Sequence, residues 1–444
     1  MVSHVITLRG PFVASLLAVL LALPARAGGG HYGPLPLRKK DRLLVEKSTE
    51  FEELIERRGG LYPEGEVTEL VRRVGAAIAP EHPADDYQRF RFGVVRDPVP
   101  NAFALPDGQI YVNSGLLALL ENEAQLAAVL AHECMHVEGH HSVIHARQAR
   151  KKSGAMVALG IGLGTVGNLI NIALLRSVIG FGRNLEEEAD YHAFPRLLEA
   201  GYDPRELPRI FELLDLDPEG ERSKPKPKWA SHPLARARTA AAEQLIALRQ
   251  DEIRAATEKH GELRIGADHY PVTVREAAVH AIERLLEADR PRTALLLARR
   301  QVDLWPDDAA AQARLGDAHR LLDARTIEPT DVELSKRGKR RKREGRVLQT
   351  AEERREERLQ RRGADDVLTT NRETALAAYE RALELDPSCP EALRGRGYLQ
   401  RDAGRWLDAG RDFAAYLRAR PDAADRSRIT ALLAEITREL ETSR

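Results

Sequence analysis

The segment His132-Glu133-Cys134-Met135-His136 sets two histidines four positions apart with a glutamate beside the first. Four residues is just over one helical turn, so on a helix both imidazoles project from one face. Two imidazoles so placed can share one ion, and H-E-x-x-H is the spacing zinc takes on a helix. Glu133 lies one step round the helix, where its carboxylate can take a proton from an attacking water and pass it to a leaving amine. Such a site needs a third ligand. Glu186-Glu187-Glu188-Ala189-Asp190 follows in a helical context, with Glu186 and Asp190 on one face at i and i+4. Glu186 can ligate the ion while Asp190 hydrogen-bonds a ligand imidazole from behind. Read bare, the first motif is also a polar helix face with incidental histidines, and the second is also a solvated acidic face.

The elements that must position these residues can be read from periodicity. Leu126, Val129, Leu130 and Ala131 lead into the histidines within a helical run from Glu121 to Val143, so the histidines sit in or near a core. A second helix is expected from Asn184 to Ala200, ending at Gly201. Phe90 to Val95 alternates as a strand. Ala102-Phe103-Ala104-Leu105 and Gln109-Ile110-Tyr111-Val112 flank the turn signal Pro106-Asp107-Gly108, a hairpin or bent strand pair. Apolar spacing is helical from Asp41 to Ile78 and again over 234–258, with an extended linker at Lys224-Pro225-Lys226-Pro227-Lys228. Cys134 points away from the histidines, since i+2 lies about 160° round the helix.

These motifs together resemble the M48 family of zinc metallopeptidases, a gluzincin group. Asn101 to Val112 resembles the family's N-A-F-x-x-P-G-G-x-I-x-V segment, with Asp107 where glycine is usual. His132 to His136 matches its H-E-x-x-H, and His141-Ser142 matches its downstream His-Ser, with His140 in place of a common arginine. Arg183 to Asp190 resembles R-x-x-E-x-x-A-D, the helix of the glutamate ligand. The resemblance covers about residues 45–250. It implies one zinc per chain on His132, His136 and Glu186, Glu133 as general base, and Asp190 behind a ligand histidine. Ser231-His232-Pro233 fits a further family segment, which implies that His232 donates to a developing oxyanion or approaches the metal and blocks it. Arg183 could pair with a carboxylate near the site or stand apart from it. Residues Asn101, Ala102, Phe103 and Ala104 would form the edge to which an unfolded polypeptide adds as a strand; binding through backbone tolerates many side chains.

The rest of the chain sets the context. Its 444 residues suggest about three units. A 43% hydrophobic content supports real cores, and few aromatics with abundant Ala, Leu and Arg favour helix. Lys+Arg and Asp+Glu both number 68, which argues against a nucleic-acid binder. Two cysteines, Cys134 and Cys389, make no disulfide scaffold. Residues 1–27 read as a secretory signal, with Arg9, an apolar run from Phe12 to Leu23, and cleavage after Ala27. That run is too short for a membrane span. A Gly/Pro/Lys-rich tail follows at 28–40.

Towards the end, Leu385-Asp386-Pro387 recurs as Ala419-Arg420-Pro421 with the prolines 34 apart, the tetratricopeptide period. Ala378 to Pro387 resembles the second helix of such a repeat, and Gly397, Tyr398, Gly404, Trp406, Ala409 and Phe413 suit the next. Leu304-Trp305-Pro306 ends an earlier helix pair; Lys, Arg and Glu dominate an insertion at about 325–370, read as a solvated helix or loop. Between the two ligand helices, the apolar, glycine-rich stretch 155–181 is read as a lid over the cleft, with peripheral membrane contact as the alternative.

The expected architecture is therefore mostly α. An α+β zincin-type metallopeptidase domain with a small sheet (41–260) is followed by α-helical tetratricopeptide-like repeats (272–444). The order signal, protease, repeats resembles periplasmic family members that act in outer-membrane protein quality control. It implies an exported, periplasmic zinc endopeptidase acting on misfolded or stalled proteins, its repeats selecting substrate or docking on outer-membrane assembly machinery. The rivals are a holdase or adaptor with a plugged zinc site and a membrane-associated processing peptidase.

Overall fold

The computed structural model describes residues 35–57, 59–79, 86–144, 147, 183–215, 235–322 and 370–442. The export signal, the stretch 155–181, the side chain of Arg183, the linker 224–228, His232 and the insertion up to residue 369 lie outside the described residues.

The described elements run α1 (Lys39–Arg57), α2 (Glu66–Ile78), β1 (Arg91–Val95), β2 (Ala102–Ala104), β3 (Gln109–Asn113), α3 (Ser114–Leu119), α4 (Glu123–Glu138), α5 (Arg183–Glu199), α6 (Leu207–Asp215), α7 (Ala235–Leu248), α8 (Gln250–His260), α9 (Tyr270–Glu287) and α10 (Pro291–Leu304). Helices α11 (309–322) and α12 (370–385) follow. The last three are α13 (Pro390–Asp402), α14 (Trp406–Ala419) and α15 (Arg426–Thr442). The fold is mostly helical with one three-stranded sheet, as expected.

That sheet has the order β1-β3-β2, with β1 parallel and β2 antiparallel to the central strand. All five residues of β3 are buried, so it carries the core on both faces. The tight turn between β2 and β3 needs Gly108: its φ is +96°, and a Cβ there would meet the Arg89 backbone at 2.7 Å. Helix α2 packs on β1 through Gly75, where a Cβ would fall 2.3 Å from the Phe92 ring.

Helix α4 is buried almost all round, from Glu123 to Val137 with only Val129 partly exposed, which marks a core helix. Asn122 caps it, its side chain accepting from the Gln125 amide at 2.9 Å. Fully buried Leu126 and Leu130 each contribute about 1.5–3 kcal/mol. Arg196 ties the scaffold together: it donates to both Glu138 oxygens at 2.7 Å and to the Ile78 carbonyl at 3.1 Å, joining α5 to the ends of α4 and α2.

Three helical runs are shorter than periodicity suggests. The run 41–78 breaks at 59–65, where Gly59 takes φ +62° and Leu61 bridges to Val95 of the sheet. The run 121–143 stops at Glu138, turns at Gly139-His140 and resumes at His141. The run 234–258 breaks at Arg249 into α7 and α8. In each case a tertiary contact or a turn overrides a continuous apolar stripe.

One hydrophobic cluster extends from Val67 through the sheet and α4 to Tyr270, Ile282, Leu297 and Ala318. The helix pair α9–α10 thus shares the core of the N-terminal region; Tyr270 donates to the Leu117 carbonyl at 3.0 Å and Arg300 to that of Leu119. Two smaller clusters follow along the repeats, one around Tyr379 and one around Phe413. Gly395 and Gly397 let the rings of Tyr379 and Phe413 lie against α13, since a Cβ would approach them to 2.2 and 2.8 Å. Both cysteines are buried free thiols. Among the described residues no helix is long and apolar enough to cross a membrane.

Candidate metal centre

Helix α4 presents His132 and His136 towards α5, and α5 presents Glu186 back towards them. The nearest atoms are His132 Nε2 and His136 Nε2 at 3.0 Å, His132 Nε2 and Glu186 Oε2 at 3.4 Å, and His136 Nε2 and Glu186 Oε1 at 3.5 Å. All three residues are buried, and their ligand atoms lie within 4.8 Å of one another. Zinc bonds of about 2.0–2.1 Å at tetrahedral angles separate neighbouring ligand atoms by about 3.3 Å. The donor set therefore fits such an ion in chemistry and spacing.

Each imidazole turns its other nitrogen to a partner. His132 Nδ1 lies 2.8 Å from Asp190 Oδ1, and His136 Nδ1 lies 2.7 Å from His141 Nδ1. Such contacts fix which ring nitrogen faces an ion. Burial opposes charge on His132, but hydrogen bonds to Asp190 and Glu186 outweigh it and lift its pKa to about 9. The carboxylates that favour a proton there equally favour a divalent cation. Burial alone would raise Asp190, yet the Arg238 charge and the His132 hydrogen bond bring it down to about 2. His141 goes the other way, pushed to about 4 by burial and then by His132. Cys134 lies in the apolar core, where burial pushes its thiol far up.

Glu133 follows His132 on α4 and is itself buried, at 3% exposure. Residues 101–104 lie close by on the sheet edge. Asn101 is buried and its carbonyl accepts from the Asn113 amide at 2.9 Å; Ala102 and Ala104 pair with Val112 and Ile110. Phe103 stacks on Tyr111 and meets Phe51 edge-on. Among the described residues β2 is the last strand of the sheet, paired with β3, and it packs beside α4.

Arg238 on α7 was not singled out from sequence. It reaches Asp190 with two hydrogen bonds of 2.8 and 2.6 Å, lies 3.4 Å from Glu186 Oε2 and from His132 Nδ1, and stacks over Phe211. Its signal was electrical. Three carboxylates read as belonging to one buried site exceed the charge of one divalent ion, which called for a further proton or a buried cation without saying which residue supplies it.

With this geometry described, comparison with known proteins defines the class. Residues 63–246 match the model of Peptidase family M48, and residues 369–434 match a tetratricopeptide repeat model. Residues 63–246 thus form an M48 peptidase domain, followed by tetratricopeptide repeats at 369–434. Among curated relatives it is similar to the mitochondrial metalloendopeptidase OMA1 of Schizosaccharomyces pombe, 34% identical over 154 residues, covering 34% of this chain and 44% of that one. It is also similar to a putative beta-barrel assembly-enhancing protease of Vibrio cholerae, 33% identical over 156 residues, 33% and 32% of the two chains. The beta-barrel assembly-enhancing protease of Escherichia coli is 29% identical over 186 residues, 39% and 38% of the chains. The chain spans less than half the length of each of these relatives.

Proposed function

We propose that the chain is a zinc-dependent endopeptidase of envelope protein quality control, cleaving misfolded or stalled exported proteins in the periplasm. The observation that carries this reading is the buried His132-His136-Glu186 donor set with Glu133 adjoining it inside an M48 domain. A zinc ion held there would act as a Lewis acid, polarising a peptide carbonyl and making water nucleophilic near neutral pH. Glu133 takes the proton of the attacking water and returns it to the leaving amine. Asp190 holds His132 by Nδ1, and Arg238 clamps Asp190 while balancing the buried carboxylates. The sheet edge at Asn101–Ala104 receives an extended substrate through backbone hydrogen bonds. His232 serves the developing oxyanion or closes the site.

The names of the bacterial relatives support an envelope role, and the proposed export signal agrees with it. The repeats then offer a surface for substrates or for outer-membrane assembly machinery. The test is cleavage of an unfolded casein-type protein by wild type and by Glu133→Gln. The expected loss is about 10²–10⁴-fold in rate, the scale of a general base. Equal cleavage by both would overturn the role of Glu133; cleavage by neither, with biological activity kept by Glu133→Gln, would favour the holdase or adaptor.

A further inference from the structure

The two ligand histidines are supported from behind by different chemistry. His132 faces a carboxylate, whereas His136 faces another imidazole, His141, at 2.7 Å between Nδ1 atoms, with ring centroids 4.9 Å apart and planes at 70°. His141 is fully buried. It returns to His136 because α4 ends three residues earlier, at Glu138. His140 takes a left-handed φ of +49°. Its Nδ1 lies 3.0 Å from the Tyr87 hydroxyl and 3.3 Å from Gln88 Nε2, while Gln88 also donates to the Val137 carbonyl at 2.8 Å. Gly139 leaves the room: a Cβ there would stand 2.4 Å from His141 Nε2 and 2.7 Å from its Cδ2.

One proton arrangement fits both the His136–His141 contact and a metal held by His136 Nε2. His136 Nε2 faces His132 and Glu186; as a metal ligand it turns its lone pair there, which places its proton on Nδ1. His136 Nδ1–H then donates to His141 Nδ1. The His141 proton is left on Nε2, which lies 3.9 Å from Glu188 Oε2 on α5. We propose that His141 is the positioning residue for His136, accepting its Nδ1–H and so fixing the tautomer and ring plane that present Nε2 to the metal, with Gly139 providing the space. The inference rests on the reading of His132, His136 and Glu186 as metal ligands.

The experiment uses the full-length chain, freed of metal, as wild type, His141→Leu, His141→Gln and Gly139→Ala. Zinc affinity is measured by competition with a chromophoric chelator, the visible spectrum is recorded with cobalt in place of zinc, and metal-free melts report folding. His141→Leu should bind zinc about 10–100-fold more weakly, the usual scale for losing a partner behind a ligand, with a shifted cobalt spectrum. His141→Gln, whose amide oxygen can accept the same hydrogen bond, should recover most of the loss. Gly139→Ala, by displacing the ring, should fall with His141→Leu. Equal affinity and an unchanged spectrum in His141→Leu would overturn the proposal. So would Leu and Gln weakened alike, which would reduce His141 to a filler of space. If His141→Leu does not fold, the other two decide: Gln near wild type with Gly139→Ala weakened supports the role, and Gln as weak as Gly139→Ala refutes it. A wild type that binds no zinc would instead overturn the metal-site reading beneath it.

Discussion

The candidate metal centre and the last repeat pair are both made of packed helices, but they bury largely opposite materials. Between α4, α5 and α7 the interior holds His132, Glu133, His136, His141, Glu186 and Arg238. Between α13, α14 and α15 it holds Leu393, Tyr398, Phe413, Tyr416, Ile429 and Ile436, with one buried carboxylate, Asp412, paired to the partly exposed Arg396. An apolar core loses stability roughly in proportion to the contacts removed. A buried polar cluster behaves as a unit, because each group is tolerable only while its partners stay in place. Damage to the repeat should therefore appear as lost stability alone, and damage to the centre as lost stability and lost metal together.

The strongest test of that contrast is Asp190→Ala. It removes the partner of both His132 and Arg238, leaving a buried guanidinium with Glu186 as its nearest remaining carboxylate. The expected cost is about 3–5 kcal/mol of stability, together with about 10–100-fold in zinc affinity, read by denaturant melts and chelator competition. Phe413→Ala should cost about 3 kcal/mol through the cavity left by a fully buried ring, with zinc affinity unchanged. A drop in zinc affinity there would break the contrast and reveal coupling through the shared core of α9 and α10.

A smaller effect probes a buried charge outside the centre. Glu123 accepts from Arg73 at 2.9 and 2.6 Å and from Tyr202 at 2.6 Å. Burial would raise its pKa, but the hydrogen bonds from Arg73 and Tyr202 outweigh it and hold it below the ordinary value. A carboxyl so depressed stabilises the fold above its unfolded pKa and loses that contribution as pH falls through the folded value. Glu123→Gln should cost about 1–2 kcal/mol at neutral pH, since Arg73 and Arg264 are half exposed. The difference from wild type should shrink as pH drops below the ordinary glutamate value of about 4.3. A constant difference across that range would mean that shape, not charge, matters at this position.

Local chemistry was legible in sequence and long-range chemistry was not. Helix geometry sets His132 with His136 and Glu186 with Asp190, while the family resemblance implied that the two pairs belong together, and these four residues do meet. The turn at Pro106-Asp107-Gly108 and the strand β1 were readable for the same reason. Arg238 was not, because it reaches Asp190 from a third helix and nothing local distinguishes it from its neighbours. The contact of His141 with His136 depends on a helix ending at Glu138, and apolar periodicity carried that helix on to Val143. The parallel pairing of β1 with β3 likewise depends on how the chain crosses over, which alternation alone does not encode.

The central claim is that His132, His136 and Glu186 hold one zinc ion. Its most direct test is zinc stoichiometry on the purified full-length chain, for wild type, Glu133→Gln and Glu186→Ala, after equilibration with limiting free zinc. The account predicts one zinc per chain in wild type and in Glu133→Gln, with the metal lost from Glu186→Ala. No bound zinc in wild type, or full retention by Glu186→Ala, would contradict it.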